Sequence, residues 1–166
     1  MDQYFIAIEA PRALAQRLTR VMSQLGDEWP VPHITVKNPL GLGPDLAWLA
    51  PAREAVSTWG PLHVRLGPLR RFDERVLYLA VTCPGIESLH QRLVEACATG
   101  AHEAEEARPY VAHLTLSRSH VDDPARVRRW LADLDGDEPF EVRALTIFHR
   151  EPTTHYSAWS HLALTS

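Results

Sequence analysis

The sequence predicts a mixed helix-and-strand protein built from two halves of similar element order, and three observations carry that reading. A chain of 166 residues is one domain's worth of polypeptide. Strand-like alternation and helix-like periodicity interleave along its whole length rather than segregating into blocks. The segment His33-Ile34-Thr35-Val36 returns 80 residues later as His113-Leu114-Thr115-Leu116, with the elements around it in similar order. The halves of this single domain divide near Cys83, at about residues 1–83 and 84–166.

The run Tyr4-Phe5-Ile6-Ala7-Ile8, ended by Pro11, suits a buried strand. Leu14, Leu18, Val21 and Leu25 then recur at helical spacing until Gly26 stops them. His33 to Lys37 alternates between prolines and predicts a short strand. A second helical pattern covers about Asp45 to Trp59, with Pro51 breaking or beginning it. Leu62 to Phe72 and Val76 to Thr82 predict a hairpin around Asp73-Glu74. Beyond Pro84, the stripe Ile86, Leu89, Leu93, Val94 and Cys97 predicts a helix stopped near Gly100. The strand Val111 to Ser117 follows, then a helix capped by Asp122 or Asp123 with Pro124 in its first turn, running to about Leu134. Phe140 to Phe148 and Tyr156 to Leu164 predict two closing strands. Glu103-Ala104-Glu105-Glu106 reads as a solvated acidic loop.

Composition excludes several classes. With 45% hydrophobic and 23% charged residues the chain can bury a core, which excludes disorder, collagen and coiled coil. No apolar run approaches the ~20 residues of a membrane span and the start carries no leader pattern, so a cytoplasmic location without a membrane partner is expected. Cys83 and Cys97 fit neither a Cys-x-x-Cys pair nor a disulfide framework and read as buried small hydrophobes. The net charge of −4 gives no global basic field, so any polynucleotide contact must be local. Sixteen of the 17 basic side chains are arginine, which leaves Lys37 the sole lysine.

Two copies of His-hydrophobic-Thr-hydrophobic stand where composition allows roughly 0.1 by chance. Successive strand side chains point to opposite faces, so each His shares one face with its Thr while Ile34/Val36 and Leu114/Leu116 take the other. A pseudo-twofold relation between the halves would bring both imidazoles and both hydroxyls into one cleft. That set suits phosphodiester chemistry. A neutral His accepts a proton from the attacking oxygen, a protonated His donates one to the leaving oxygen, and the hydroxyls donate to non-bridging phosphate oxygens. An ordinary pKa near 6.5 lets one histidine be neutral and the other charged.

On these residues the chain resembles the two-histidine (2H) phosphoesterase superfamily and, within it, the LigT-like 2′-5′ RNA ligase and RNA 2′,3′-cyclic phosphodiesterase family. The resemblance covers Phe5-Ile6-Ala7-Ile8, Pro32-His33-Ile34-Thr35-Val36 and Arg108 through Arg118, with Tyr110 and Arg118 matching the family's aromatic before and arginine after the second histidine. Ala112 stands where the family usually has proline, and Lys37-Asn38-Pro39 replaces its apolar-aromatic continuation. The resemblance implies a bilobal α+β fold of two pseudo-symmetric halves whose antiparallel sheets line a central cleft with helices outside. It also implies metal-free opening of a 2′,3′-cyclic phosphate to a 2′-phosphate, with His113 as base toward water and His33 as acid toward the 3′-oxygen. The same four residues would serve reversible 2′-5′ RNA ligation, or a nucleotide-binding module without turnover.

Further candidates follow from position. Lys37, at i+4 from His33 on an unbroken strand, would contact phosphate or ribose from the same face. Arg118 falls where its strand should end and would reach a phosphate or a surface ion pair. Tyr110 is a candidate for base stacking, as are Phe5, Tyr156 and Trp159. His149, His155 and His161 match no metal-ligand pattern, so neither metal nor cofactor is expected. The expected partner is an RNA terminus or a small cyclic nucleotide, met by a monomer.

Overall fold

The computed structural model describes residues 2–27, 31–98, 109–119, 121, 123–132, 139–150 and 155–165. In chain order the elements are β1 (Gln3–Glu9), α1 (Arg12–Gln24), β2 (His33–Lys37), α2 (Leu49–Ser57), β3 (Leu62–Phe72) and β4 (Val76–Thr82). They continue with α3 (Ile86–Ala96), β5 (His113–Ser117), α4 (Pro124–Trp130), β6 (Phe140–Val142), β7 (Ala144–Arg150) and β8 (Ser157–Ala163). Among the described residues the fold is α+β, with every strand pairing antiparallel in one eight-stranded sheet of order β6-β3-β4-β5-β2-β1-β7-β8. The motif strands β2 and β5 lie together at its centre.

Each half of the sheet takes strands from both ends of the chain. On one side of the β2/β5 seam lie β1, β7 and β8, and on the other β4, β3 and β6. The repeated unit is strand, helix, motif strand, written as β1-α1-β2 and β4-α3-β5, so the spatial division does not follow the chain's midpoint at Cys83. The closing segment Phe140 to Phe148, expected as one strand, is two. Arg143 alone separates edge strand β6 from β7 near the other end of the sheet. One residue spans only a few ångströms, so the two ends meet there and the sheet curls into a half-barrel.

Side-chain alternation sorts the two faces. Ile6, Ile8, Ile34, Val36, Leu77, Leu79, Leu114, Leu116, Leu145 and Ile147 pack into the main core with Leu18 and Met22 of α1, Ala52 and Val56 of α2, and Leu89 and Leu93 of α3. Each such side chain, fully buried, contributes roughly 1.5–3 kcal/mol. The opposite face carries a small aromatic cluster of Phe5, Ala7 and Phe148 with Val31 and Tyr156 against it. Both cysteines are buried, and neither is in a disulfide.

Helix ends follow their local chemistry. Gly26, at φ +89°, closes α1: its N–H bonds Ser23 O and that of Asp27 bonds Met22 O, the Schellman arrangement that glycine permits. The second helix begins at Leu49 rather than Asp45, because Asp45 accepts from Ala47 N and Leu46 takes φ +59°, a turn that holds the chain out of helix until Pro51 can sit in the first turn. Asp123 caps α4 by accepting from Arg126 N at 3.0 Å. Asp122, Gly100, the acidic stretch at 103–106 and Leu134 lie outside the described residues. Among the described residues no helix is long and apolar enough to cross a membrane.

Candidate active site

The pairing of Ile34 with Leu114 fixes the geometry at the seam. Antiparallel continuation by one residue either way sets His33 opposite Thr115 and Thr35 opposite His113. All four point away from the core-facing Ile34 and Leu114. Directly opposed side chains stand ~5 Å apart at Cβ and diagonal ones roughly 7–8 Å. Each histidine therefore faces the threonine of the other copy, and the two imidazoles lie on the diagonal. A tetrahedral phosphorus between them would have an imidazole on either side. The Thr35 and Thr115 hydroxyls make no hydrogen bond among the described residues, which leaves both as donors for a ligand.

The two copies are built alike beyond their sequence. Burial runs intermediate, buried, intermediate, buried, buried along both β2 and β5. Both carry a register shift just after the threonine: Thr35 pairs with Ala7 but Lys37 with Ile6, and Thr115 pairs with Tyr78 but Ser117 with Leu77. One extra residue, Val36 or Leu116, is accommodated at each bulge. Each histidine donates Nδ1–H to the carbonyl two residues earlier, His33 to Val31 at 2.6 Å and His113 to Val111 at 2.7 Å. A carbonyl can only accept, so Nε2 is the atom left for chemistry on both rings. Each ring also rests on a stacked aromatic pair. Phe5 and Phe148 lie 5.0 and 5.8 Å from His33, and Phe72 and Tyr78 lie 5.0 and 5.5 Å from His113. Of these four buttresses the sequence singled out only Phe5, and the register reveals Phe148, Phe72 and Tyr78.

Burial is the main cause that lowers the pKa of His33. The nearby Arg118 guanidinium and His113 lower it further, against opposing contributions from the Val31 carbonyl and Asp27. The net effect favours the neutral form of His33. Beside it opens a cavity of about 380 Å³ lined by His33, Thr115, Arg118, Arg150, Phe5 and Tyr156, among others, a volume in the range of nucleotide-sized ligands. His113 and Thr35, the next opposed pair along the same two strands, do not line it. Arg118 stands exposed on the cavity wall. Arg150, which the sequence reading missed, stands there too, bonded to Gln3 Oε1 at 2.9 Å with its guanidinium over the Tyr156 ring. Trp159 instead meets Tyr4 on the core face. No group of three or more potential metal ligands occurs among the described residues.

Two expectations are corrected. Lys37 does not share the face of His33: the bulge at Val36 reverses its parity, so it pairs with core-facing Ile6 and is 1% exposed. Its Nζ donates to Asn38 O, Asn38 Oδ1 and Leu40 O, which folds the 38–40 loop over the buried stem. Lys37→Ala is therefore expected to destabilise the fold by about 2–4 kcal/mol, from lost stem burial and stranded carbonyls. Phosphate affinity should stay unchanged. Urea unfolding with phosphate titration of the folded variant checks both, and a weakened phosphate site at unchanged stability would reverse the correction.

Tyr110 is no free stacking platform. Its ring stacks on His90 at 4.2 Å and its hydroxyl donates to Thr35 O at 2.9 Å, while His90 Nδ1 donates to Val36 O at 2.7 Å. Burial raises the phenol's pKa strongly, so it stays protonated and donating. The pair satisfies carbonyls at the bulge and pins the segment that presents Thr35.

Comparison with solved structures agrees with this architecture. The protein TT0787 of Thermus thermophilus superposes with a TM-score of 0.71 at 17% identity, over 98% of this chain and 97% of its own. Apo LigT of E. coli gives 0.63 at 19% identity over 99% and 98%. LigT complexed with 3′-AMP gives 0.59 at 19% over 99% of each. At these identities the likeness establishes the fold alone. No curated protein matches the chain. The model of one family matches residues 7–154, taking in both histidines, both threonines and the strands that carry them, and the chain thereby belongs to the 2′-5′ RNA ligase superfamily.

Proposed function

We propose that the protein is a phosphodiesterase that opens 2′,3′-cyclic phosphates, at RNA ends or on nucleotides, to a 2′-phosphate without a metal. One observation carries the reading: across the β2/β5 seam each histidine faces the other copy's threonine, with both Nε2 atoms unengaged by the carbonyls that hold Nδ1. One imidazole takes a proton from water as its oxygen attacks phosphorus. The P–O3′ bond breaks, and the other imidazole gives the 3′-oxygen its proton. Thr35 and Thr115 donate to the non-bridging oxygens as their charge grows. If His33 is the acid, as the resemblance implies, it gains its proton as the phosphate anion arrives, because that charge offsets the burial that favours its neutral form. The family also includes 2′-5′ RNA ligases, and a 5′-hydroxyl in place of water would turn the same site toward ligation.

The test is hydrolysis of 2′,3′-cyclic AMP in EDTA, with product identity and pH profile. A 2′-phosphate product and a bell-shaped kcat/KM are expected. The acidic limb reports protonation of the last neutral imidazole of the pair, which burial, Arg118 and His113 all oppose at His33. It should lie below the ordinary histidine value near 6.5, and activity should persist into mildly acidic solution. Activity that vanishes in EDTA and returns only with added divalent metal would overturn the proposal.

A further inference from the structure

The cavity beside His33 crosses four strands and changes character along the way. The strand order β5-β2-β1-β7 sets Thr115, Ser117 and Arg118 at one end and Arg150 with Tyr156 at the other, with His33 and Phe5 between. The first end offers hydroxyls and a guanidinium to a phosphate. The second is aromatic and apolar, since Phe5 and Phe148 pack there with Val31 and Tyr156.

Arg150 is held in a fixed plane at this second end. It pairs with Gln3 one step along from the Phe5/Phe148 pair, and Gln3 Oε1 accepts from both Arg150 Nη2 and the Tyr156 hydroxyl at 2.9 Å. Two donors converge on that atom, so it is the amide oxygen, and Gln3 Nε2 is left as a donor. The guanidinium lies over the Tyr156 ring at 5.1 Å. Its anchors among the described residues are an amide and a ring rather than a carboxylate, and Nε and Nη1 keep their hydrogens. A group that binds here must therefore present acceptors.

Two strand spacings, about 10 Å, separate β2 from β7, and Arg150 leans back across that gap to Gln3 on β1. A ribose and a purine span what remains. We propose that Arg150 reads the base of the reacting nucleotide and selects guanine, its fork donating to O6 and N7. Guanine presents two acceptors on that edge, whereas adenine presents one acceptor beside an amino group that would meet a donor. A planar fork lying flat on an aromatic floor suits the planar edge of a base. A second phosphate suits this end less well, because the wall is apolar and the Asp27 carboxylate lines the same cavity. The inference rests on the proposed activity for where the nucleotide lies, but its test reads binding.

Calorimetry with 3′-GMP, 3′-AMP and 3′-IMP supplies that test. In the unaltered protein 3′-GMP should bind about ten- to hundredfold tighter than 3′-AMP, the usual worth of one bidentate arginine–guanine contact. The inosine nucleotide, which keeps O6 and N7 without the 2-amino group, should match 3′-GMP. R150M should bring the guanine and adenine affinities together by weakening 3′-GMP. Equal affinities in the unaltered protein, or a guanine preference that survives R150M, would overturn the inference. So would an Arg150-dependent gain for adenosine 3′,5′-bisphosphate over 3′-AMP with no base preference, which would make this end a second phosphate subsite. Guanine selectivity without hydrolysis of 2′,3′-cyclic GMP or 2′,3′-cyclic AMP would overturn the catalytic reading and leave the base site. Hydrolysis of both without selectivity would do the reverse.

Discussion

Replacing His33 or His113 with alanine is expected to lower kcat for 2′,3′-cyclic AMP by roughly 10²–10⁴-fold, the usual range for a positioned general acid or base. The fold should survive. Both rings are partly exposed, and the strand around each is held by Ile34 and Leu114 in the core rather than by the imidazole. The double variant should be little worse than either single one, because a base and an acid that serve the same displacement act as a unit and their losses do not add. A residual rate within tenfold of the unaltered protein in either single variant, with the chemical step limiting, would remove that histidine from the mechanism.

What the sequence made legible was everything that depends on local periodicity. The parity of His33 with Thr35 and of His113 with Thr115 follows from the two-residue repeat of a strand, and it holds because each bulge falls after the threonine, at Val36 or Leu116. The hairpin of β3 and β4 was equally plain, since two strand-like runs flank the polar Asp73-Glu74. Lys37 shows where such reasoning stops. Its parity argument assumes an unbroken pleat, and one extra residue at Val36 turns the side chain to the other face. Nothing local announces that bulge, since it is a property of the pairing with β1.

Long-range facts were hidden for the same reason. Tyr110 read as a free aromatic because its partner His90 lies on α3 and its acceptor on β2, segments that only the folded sheet brings together. The aromatic pairs behind each histidine come from strands distant in sequence.

The second large effect belongs to the threonines. Thr35→Val and Thr115→Val each remove one hydroxyl while keeping a β-branched strand residue of similar shape, so the sheet should tolerate both. If each hydroxyl donates to a non-bridging oxygen whose charge grows as phosphorus becomes five-coordinate, losing it should cost about 10²–10³-fold in kcat with much less change in KM, as for other preorganised donors at a developing oxyanion. Thr→Ser at the same positions should recover most of the rate, because the donor returns and only a methyl is lost. The pairing across the seam adds a sharper expectation. Thr115 faces His33 and Thr35 faces His113, so each threonine is coupled to the histidine of the other copy. A double-mutant cycle of T115V with H33A should therefore deviate from additivity at least as much as the cycle of T115V with H113A. Valine variants that raise KM at unchanged kcat would instead make the hydroxyls ground-state anchors, and the transition-state role assigned to them would fall.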